Sequence, residues 1–297
     1  MRYIHSIWST PSIDNKAKQL HNYKDFNKNF YSYFFSALLI KKMGYEIDLY
    51  CDEKSVELYS LIPYNNIHIV DFDNEGISHK FWMWGKIKTQ SLINEPYVHI
   101  DGDVFFFKDI IGNKIFNGEY DSVVQNVENS YTMPLDGFKI YYPNSSTPFK
   151  KYFDKYGIKW SEFNIQGYNA GVVGFHNIEL KNKYIDRVTK IIGDLSKETN
   201  INEIADKYIG INVIAEQALL YHTLNINKTK ILEILPYEII KNTKLKWYET
   251  IAPDLGFCHM LGVSKYRNDI ILAMKNKINK MFPTQTETLN KFECKYL

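Results

Sequence analysis

Cysteine is scarce in this sequence. Cys51, Cys258 and Cys294 are odd in number and widely spaced, which excludes a disulfide framework and a paired metal-binding spacing and suits a reducing cytosol. Long apolar runs are missing too. The opening Met1-Arg2-Tyr3-Ile4-His5-Ser6-Ile7-Trp8 carries none, and no stretch is apolar enough for a signal peptide or a spanning helix. A soluble, cytoplasmic chain is therefore expected, at most peripheral at the inner face of a membrane. Charge of one sign is lacking as well: a net charge of +2 without a basic stripe argues against a dedicated nucleic-acid binder. There are no internal repeats and no low-complexity linker, so no split into independently folding domains is expected.

What is present suits a packed core: 45% of the 297 residues are apolar, enough to bury a sheet on both faces. Aromatic residues are plentiful at 15%, and they either fill that core or offer faces for sugars and bases. Strands are predicted over 2–8, 45–50, 67–72 and 97–100, with helices over 30–43, 53–61 and 79–92 between them. Gly44 and Pro63 supply stop signals. That β-α-β-α-β-α-β order points to a parallel sheet covered by helices, with ligands at the carboxyl ends of its strands. Further on, strands are expected over 104–107, 121–127, 172–175 and 229–235, helices over 180–195 and 211–224, and an aromatic, loop-rich stretch over 130–168.

Chemistry concentrates where the fourth strand ends, at Asp101-Gly102-Asp103. Two carboxylates there can offer hard oxygen ligands to a cation, while a residue without a side chain lets a phosphate approach closely. The competing reading is a hairpin, since Asp-Gly between apolar runs is a strong turn signal. A second segment, Phe257-Cys258-His259-Met260-Leu261-Gly262-Val263-Ser264-Lys265, combines a histidine, a glycine three residues on and a lysine six residues on. These can supply an imidazole ligand, a close turn and an ammonium for a phosphate; the competing reading is a structural histidine in an apolar strand.

With Asn169-Ala170-Gly171-Val172 and Glu216-Gln217 between them, these segments resemble the GT-A glycosyltransferases, most nearly glycosyltransferase family 8. That family's order is a strand ending D-x-D, a later N-A-G-V, an acidic-Gln pair on a helix, and a final H-x-x-G-x-x-K-P-W. The likeness spans roughly residues 2–267. It implies a GT-A-type nucleotide-diphospho-sugar transferase fold, α/β with a central, mostly parallel sheet flanked by helices, over residues 1–267, and a helical tail over 268–297.

The resemblance also implies a metal-dependent transfer from a nucleotide sugar, a UDP-sugar, to a glycan or glycolipid hydroxyl, with retention. Asp101, Asp103 and His259 would hold Mn2+ or Mg2+, and Lys265 would pair with the diphosphate beside Gly262 and Gly102. Asn169 and Gln217 would line the donor-sugar pocket, and Glu216 is the carboxylate that could serve as a base were the enzyme inverting. Two departures stand out: Tyr266-Arg267 replaces Pro-Trp, and Glu216 replaces an aspartate.

Lesser candidates have bland alternatives. Lys86 falls near where the family places a basic donor contact, although a solvated helix face is the reading its own residues favour, and Trp8-Ser9-Thr10 ends the first strand where the base would lie. Asn169-Ala170-Gly171 also reads as a plain turn. Two rivals remain open. One is a haloacid-dehalogenase-like phosphohydrolase using Asp101 and Asp103, with Asp194 and Glu198 as its later acidic motif; the other is a non-catalytic nucleotide- or glycan-binding module of the same fold. In the tail, residues 267–282 place Ile270, Ile271, Met274, Ile278 and Met281 on one side and Lys275, Lys277 and Lys280 mostly elsewhere, which fits either a packed helix or a peripheral membrane contact.

Overall fold

The structure is a computed structural model. It describes residues 2–13, 29–129, 139, 147–158, 166–208, 210–240, 244–246, 249–261 and 267–296. In chain order its strands are β1 (Arg2–Ile7), β2 (Glu46–Cys51), β3 (Ile67–Ile69), β4 (Tyr97–Ile100), β5 (Val104–Phe106), β6 (Ser122–Val124), β7 (Val127–Glu128), β8 (Gly167–Tyr168), β9 (Val172–Phe175), β10 (Ile231–Glu233), β11 (Lys244–Lys246), β12 (Glu249–Ala252) and β13 (Phe257–Met260).

Seven of them form a central sheet in the order β10-β6-β9-β4-β1-β2-β3. It is parallel throughout except for β9, which runs against both β4 and β6. The α/β class and the mostly parallel sheet expected from the sequence are thus what the chain forms. From β1 the chain steps outward through β2 to β3, and then returns to the other side of β1 as β4. That reversal opens a crevice at the carboxyl ends of β1 and β4, the position where open α/β sheets bind ligands.

β4 explains why its sequence reads as one apolar run rather than an alternation: all four residues are buried, Tyr97 in the core on one face and Val98 and Ile100 in the core on the other. One core lies under the helices Trp84–Ser91 and Ile178–Leu195. The other lies under the helix Asn29–Lys42, which is apolar nearly all round because a further layer covers it. Gly44, at φ +85°, ends that helix in a conformation that favours glycine.

The covering layer is the C-terminal tail. The helix Asn268–Met281 buries Ile271, Met274 and Ile278, and the helix Thr286–Tyr296 stacks Phe292 on Phe30 at 4.1 Å. The apolar side that could have met a membrane therefore lies against the domain. No helix among the described residues is long and apolar enough to cross a membrane.

One feature was not expected. β11, β12, β13 and β5 form a second, antiparallel sheet. Its strands are short, and β11 and β12 carry Lys-Leu-Lys and Glu-Thr-Ile-Ala, which give no clear period-2 pattern. The helix expected over 79–92 is also shorter, Trp84–Ser91, because Met83 N–H is drawn out of the helix to Asn212 Oδ1 at 3.3 Å.

Candidate metal centre

The chain leaves β4 at Ile100, turns through Asp101-Gly102-Asp103, with Val104 N–H donating to Asp101 O at 3.0 Å, and enters β5. Since β4 and β5 belong to different sheets, this turn is no hairpin: it carries the chain from the central sheet to the small one. Gly102 also has a steric reason within the fold. A Cβ there would lie 2.5 Å from Tyr33 Cγ and closer still to two other ring atoms, and Tyr33 is held by its hydroxyl donating to Ser6 O at 3.0 Å. The glycine makes room for a tyrosine.

The small sheet brings in the histidine. β13 pairs with β5 so that His259 lies opposite Val104, and Met260 N–H donates to Asp103 O at 3.0 Å. A residue more than 150 positions away in sequence thereby lands beside the acidic pair. The ligand atoms of Asp101, Asp103 and His259 all lie within 4.8 Å of one another, with Asp103 and His259 buried and Asp101 partly exposed. His259 Nε2 stands 3.4 Å from Asp103 Oδ1. Its other nitrogen, Nδ1, is 2.7 Å from Gln125 Oε1.

Lys86 is no solvated-face lysine. It is 8% exposed; its ammonium forms ion pairs with Asp101 Oδ1 and Glu216 Oε1, both at 2.7 Å, and donates to Ala170 O at 3.0 Å. Burial works against its charge, but Asp101 and then Glu216 more than offset that, so its pKa is raised. Glu216 is 1% exposed and sits on a π-helical segment, Ile214–Ala218, with Gln217 next to it, partly exposed. Burial pushes the Glu216 carboxyl up to about 7, with Lys86 holding it back. Beneath the site, burial drives His5 down to about 3 against the pull of Asp103, and lowers His99 as well. Both stay neutral near pH 7, and among the described residues Lys86 is the lysine that meets Asp101 and Glu216.

The Asn169-Ala170-Gly171 turn holds the other wall. Asn169 Oδ1 accepts from Gly171 N–H at 2.9 Å and its amide nitrogen donates to Glu128 Oε1 at 2.6 Å, so the side chain serves the turn. Gly171 O accepts from Asp101 N–H at 2.8 Å. A Cβ on Gly171 would strike the His259 ring, 2.7 Å from Nδ1 and closer to Cε1. Gly171 therefore seats both the acidic strand end and the imidazole.

Trp8 and Ser9 do not join the cluster. Trp8 is buried with its indole N–H donating to Asp73 Oδ1 at 3.0 Å, and its Cβ packs against Gly85. The Ser9 hydroxyl and N–H both reach Asp52 Oδ2, at 2.7 and 2.6 Å. Gly262 and Lys265 lie outside the described residues. Asp194 and Glu198 form ion pairs with Lys155 and Lys151, both at 2.5 Å, and do not belong to the Asp101 cluster. A phosphohydrolase reading loses its second acidic motif there. Gln125 and Glu128 were missed; the signal for Gln125 was a polar pair, Gln125-Asn126, directly after the apolar strand β6.

The residues present fit a divalent cation. Two carboxylates and one imidazole, with a lone pair left on Nε2 when Nδ1–H is bonded to Gln125, form a mixed oxygen and nitrogen donor set able to hold such an ion. Carboxyl groups also outnumber the ammonium among Asp101, Asp103, Glu128, Glu216 and Lys86, an excess that favours a bound cation.

Fold and site together define an α/β protein with a carboxylate–imidazole centre at the switch point of its sheet. The chain belongs to the family of unknown function DUF6734, which it matches over residues 1–292. None of the curated proteins matches it. Among solved structures it is similar to a galactosyltransferase, LgtC, in complex with donor and acceptor sugar analogues, at 12% identity and a TM-score of 0.39 over 78% of this chain and 73% of that one. It is similar also to mouse xyloside xylosyltransferase 1 in its apo form, at 9% identity and a TM-score of 0.37 over 78% of this chain and 83% of that one.

Proposed function

We propose that the chain is a metal-dependent glycosyltransferase of the GT-A type, most like family 8, which moves a sugar from a nucleotide sugar to a glycan or glycolipid hydroxyl. The observation that carries this reading is the convergence of Asp101, Asp103 and His259 at the carboxyl end of β4 in the crevice beside β1. Asp101, Asp103 and His259 Nε2 would hold Mn2+ or Mg2+. When bound, that ion would neutralise charge on the departing nucleoside diphosphate.

The chain's own residues have distinct parts. Lys86 keeps Asp101 and Glu216 at fixed positions while adding a positive charge beneath the leaving group. Gln217 would contact the donor sugar, with Glu216 behind it and the Asn169 turn as the pocket wall. Lys265 would pair with the diphosphate, with Gly262 giving the close turn before it. UDP as the nucleotide and retention of configuration belong to the same proposal and rest on the resemblance to family 8, while a cytoplasmic location rests on the few, widely spaced cysteines.

The test is a panel of nucleotide sugars incubated with the metal-free protein, with and without added manganese, reading donor hydrolysis and transfer. One donor turned over only with the metal is the expected result. Full activity without metal, cleavage of generic phosphoesters instead, or donor binding with no turnover of any sugar would each overturn it, the last in favour of a binding module.

A further inference from the structure

We propose that Gln125 is a positioning residue for the metal centre: it fixes His259 as the Nδ1–H tautomer, so that Nε2 presents a lone pair beside Asp103. This rests on the metal reading above and adds to it a residue outside the ligand set.

Gln125 directly follows β6 and is 0% exposed. Its backbone is pinned on one side, because Leu235 N–H donates to Gln125 O at 2.8 Å. The side chain is oriented by its neighbours. Gln125 Nε2 donates to Asn126 Oδ1 at 3.1 Å, and Asn126 Nδ2 donates in turn to Val127 O at 2.9 Å. Val127 O can only accept, so Asn126 must turn its amide nitrogen toward it and its oxygen toward Gln125. Gln125 must then turn its own nitrogen toward Asn126 and its oxygen toward His259. Reversing either amide would set oxygen against oxygen.

The direction of the last bond follows. Gln125 Oε1, an acceptor, faces His259 Nδ1 at 2.7 Å, so Nδ1 carries the hydrogen and Nε2 does not. A metal-ligating histidine usually donates its second ring N–H in this way, which fixes tautomer and ring direction. Gly171 completes the arrangement, since a Cβ there would lie 2.7 Å from His259 Nδ1 and 2.9 Å from Gln125 Oε1. The relay runs from a backbone carbonyl to a ligand nitrogen through two amides.

Two measurements on the full-length protein test it. Long-range 15N–1H correlation of the histidine rings, in metal-free protein at a pH where the ring is neutral and assigned with His259→Gln, should show His259 as the Nδ1–H tautomer. An Nε2–H tautomer overturns the proposal. Mn2+ binding, read from the free-ion paramagnetic resonance signal, should weaken about 10- to 100-fold in Gln125→Met, which keeps the volume and removes the acceptor. Gln125→Glu, which restores an acceptor for Nδ1–H, should recover most of that loss. Gln125→Met that binds Mn2+ as the wild type does overturns the role of Gln125 alone. A wild type that binds no Mn2+ sinks the metal reading itself. Should Gln125→Met fail to fold, the tautomer of the wild type still decides.

Discussion

Lys86 and Glu216 meet at 2.7 Å in a space sealed from solvent, a lysine from the first turn of one helix and a glutamate from a π-helical segment of another. π-Helical bulges are rare and recur at functional sites, because the extra residue re-aims a side chain. Here the side chain so aimed is the carboxylate that shares Lys86 with Asp101.

Lys86→Met should strongly destabilise the protein. It would leave Glu216 buried against Asp101 without the ammonium that separates them, and breaking a buried pair by removing one partner costs about 3–5 kcal/mol. Urea unfolding measures the loss. The double variant Lys86→Met/Glu216→Gln should recover a large part of it, since an amide needs no counter-charge. Equal stability of the single variant and the wild type would mean that Lys86 is not held as described.

The same pair sets a pH dependence. With Glu216 raised from 4.5 to about 7, the native state keeps a proton across that window that the unfolded state releases. Stability therefore falls as pH rises from about 4.5 to about 7 and the Glu216 contribution then levels off. Lys86 does not interfere: its pKa is raised, so its contribution is fully present below the ordinary lysine range and is lost only in more alkaline solution. Denaturant midpoints measured against pH in EDTA should show this slope, and Glu216→Gln should remove it. A slope unchanged in Glu216→Gln would assign it to another group.

Much of this was legible in the sequence, and the omissions have physical causes. β4 and β9 were predicted with the bounds they have, because Tyr97–Ile100 and Val172–Phe175 are apolar runs between turn residues. Asp101, Asp103 and His259 could be named together because the resemblance to family 8 implies that set; from the residues alone a hairpin turn and a structural histidine competed with it. How His259 arrives could not be read, since it depends on a small sheet whose strands β11 and β12 give no clear pattern. The burial of Lys86 was hidden for a related reason. Lysine is rarely buried unless paired, and its partner Glu216 is remote in sequence. The tyrosine against Gly102 was not read either, because a glycine between carboxylates gives no sign of whether a ligand or a tyrosine fills the vacant side.

That last point can be tested. Gly102→Ala should destabilise by about 1–3 kcal/mol, the usual cost of overpacking, because the Tyr33 ring must shift against its bond to Ser6 and its edge contact with Tyr59. In a Tyr33→Ala background the same substitution should cost almost nothing. If Gly102→Ala instead left stability untouched and only raised the KM for the donor, close phosphate approach would be the reason for the glycine after all.

The C-terminal tail offers the opposite kind of case, where a feature open to two readings is already used within the fold. Phe292 is 0% exposed and stacks on Phe30, while Ile271, Met274 and Ile278 bury themselves in the same core. Three of its lysines are paired as well: Lys275 with Glu293 at 2.5 Å, Lys291 with Glu287 at 2.8 Å and Lys295 with Glu57 at 2.5 Å. A helix that gives most of its apolar side to the domain has little left to insert into lipid, and lysines paired with carboxylates attract anionic headgroups weakly. Phe292→Ala should therefore cost about 3–5 kcal/mol, as for a large aromatic removed from a core. Deletion from Asn268 should expose Phe30 and its neighbours and give an aggregating chain, whereas the full-length protein should not sediment with anionic liposomes at low salt. A truncated chain that stays folded and monomeric, together with a full-length protein that binds such liposomes, would show that the tail is a detachable membrane module and that its packing on the helix Asn29–Lys42 is incidental.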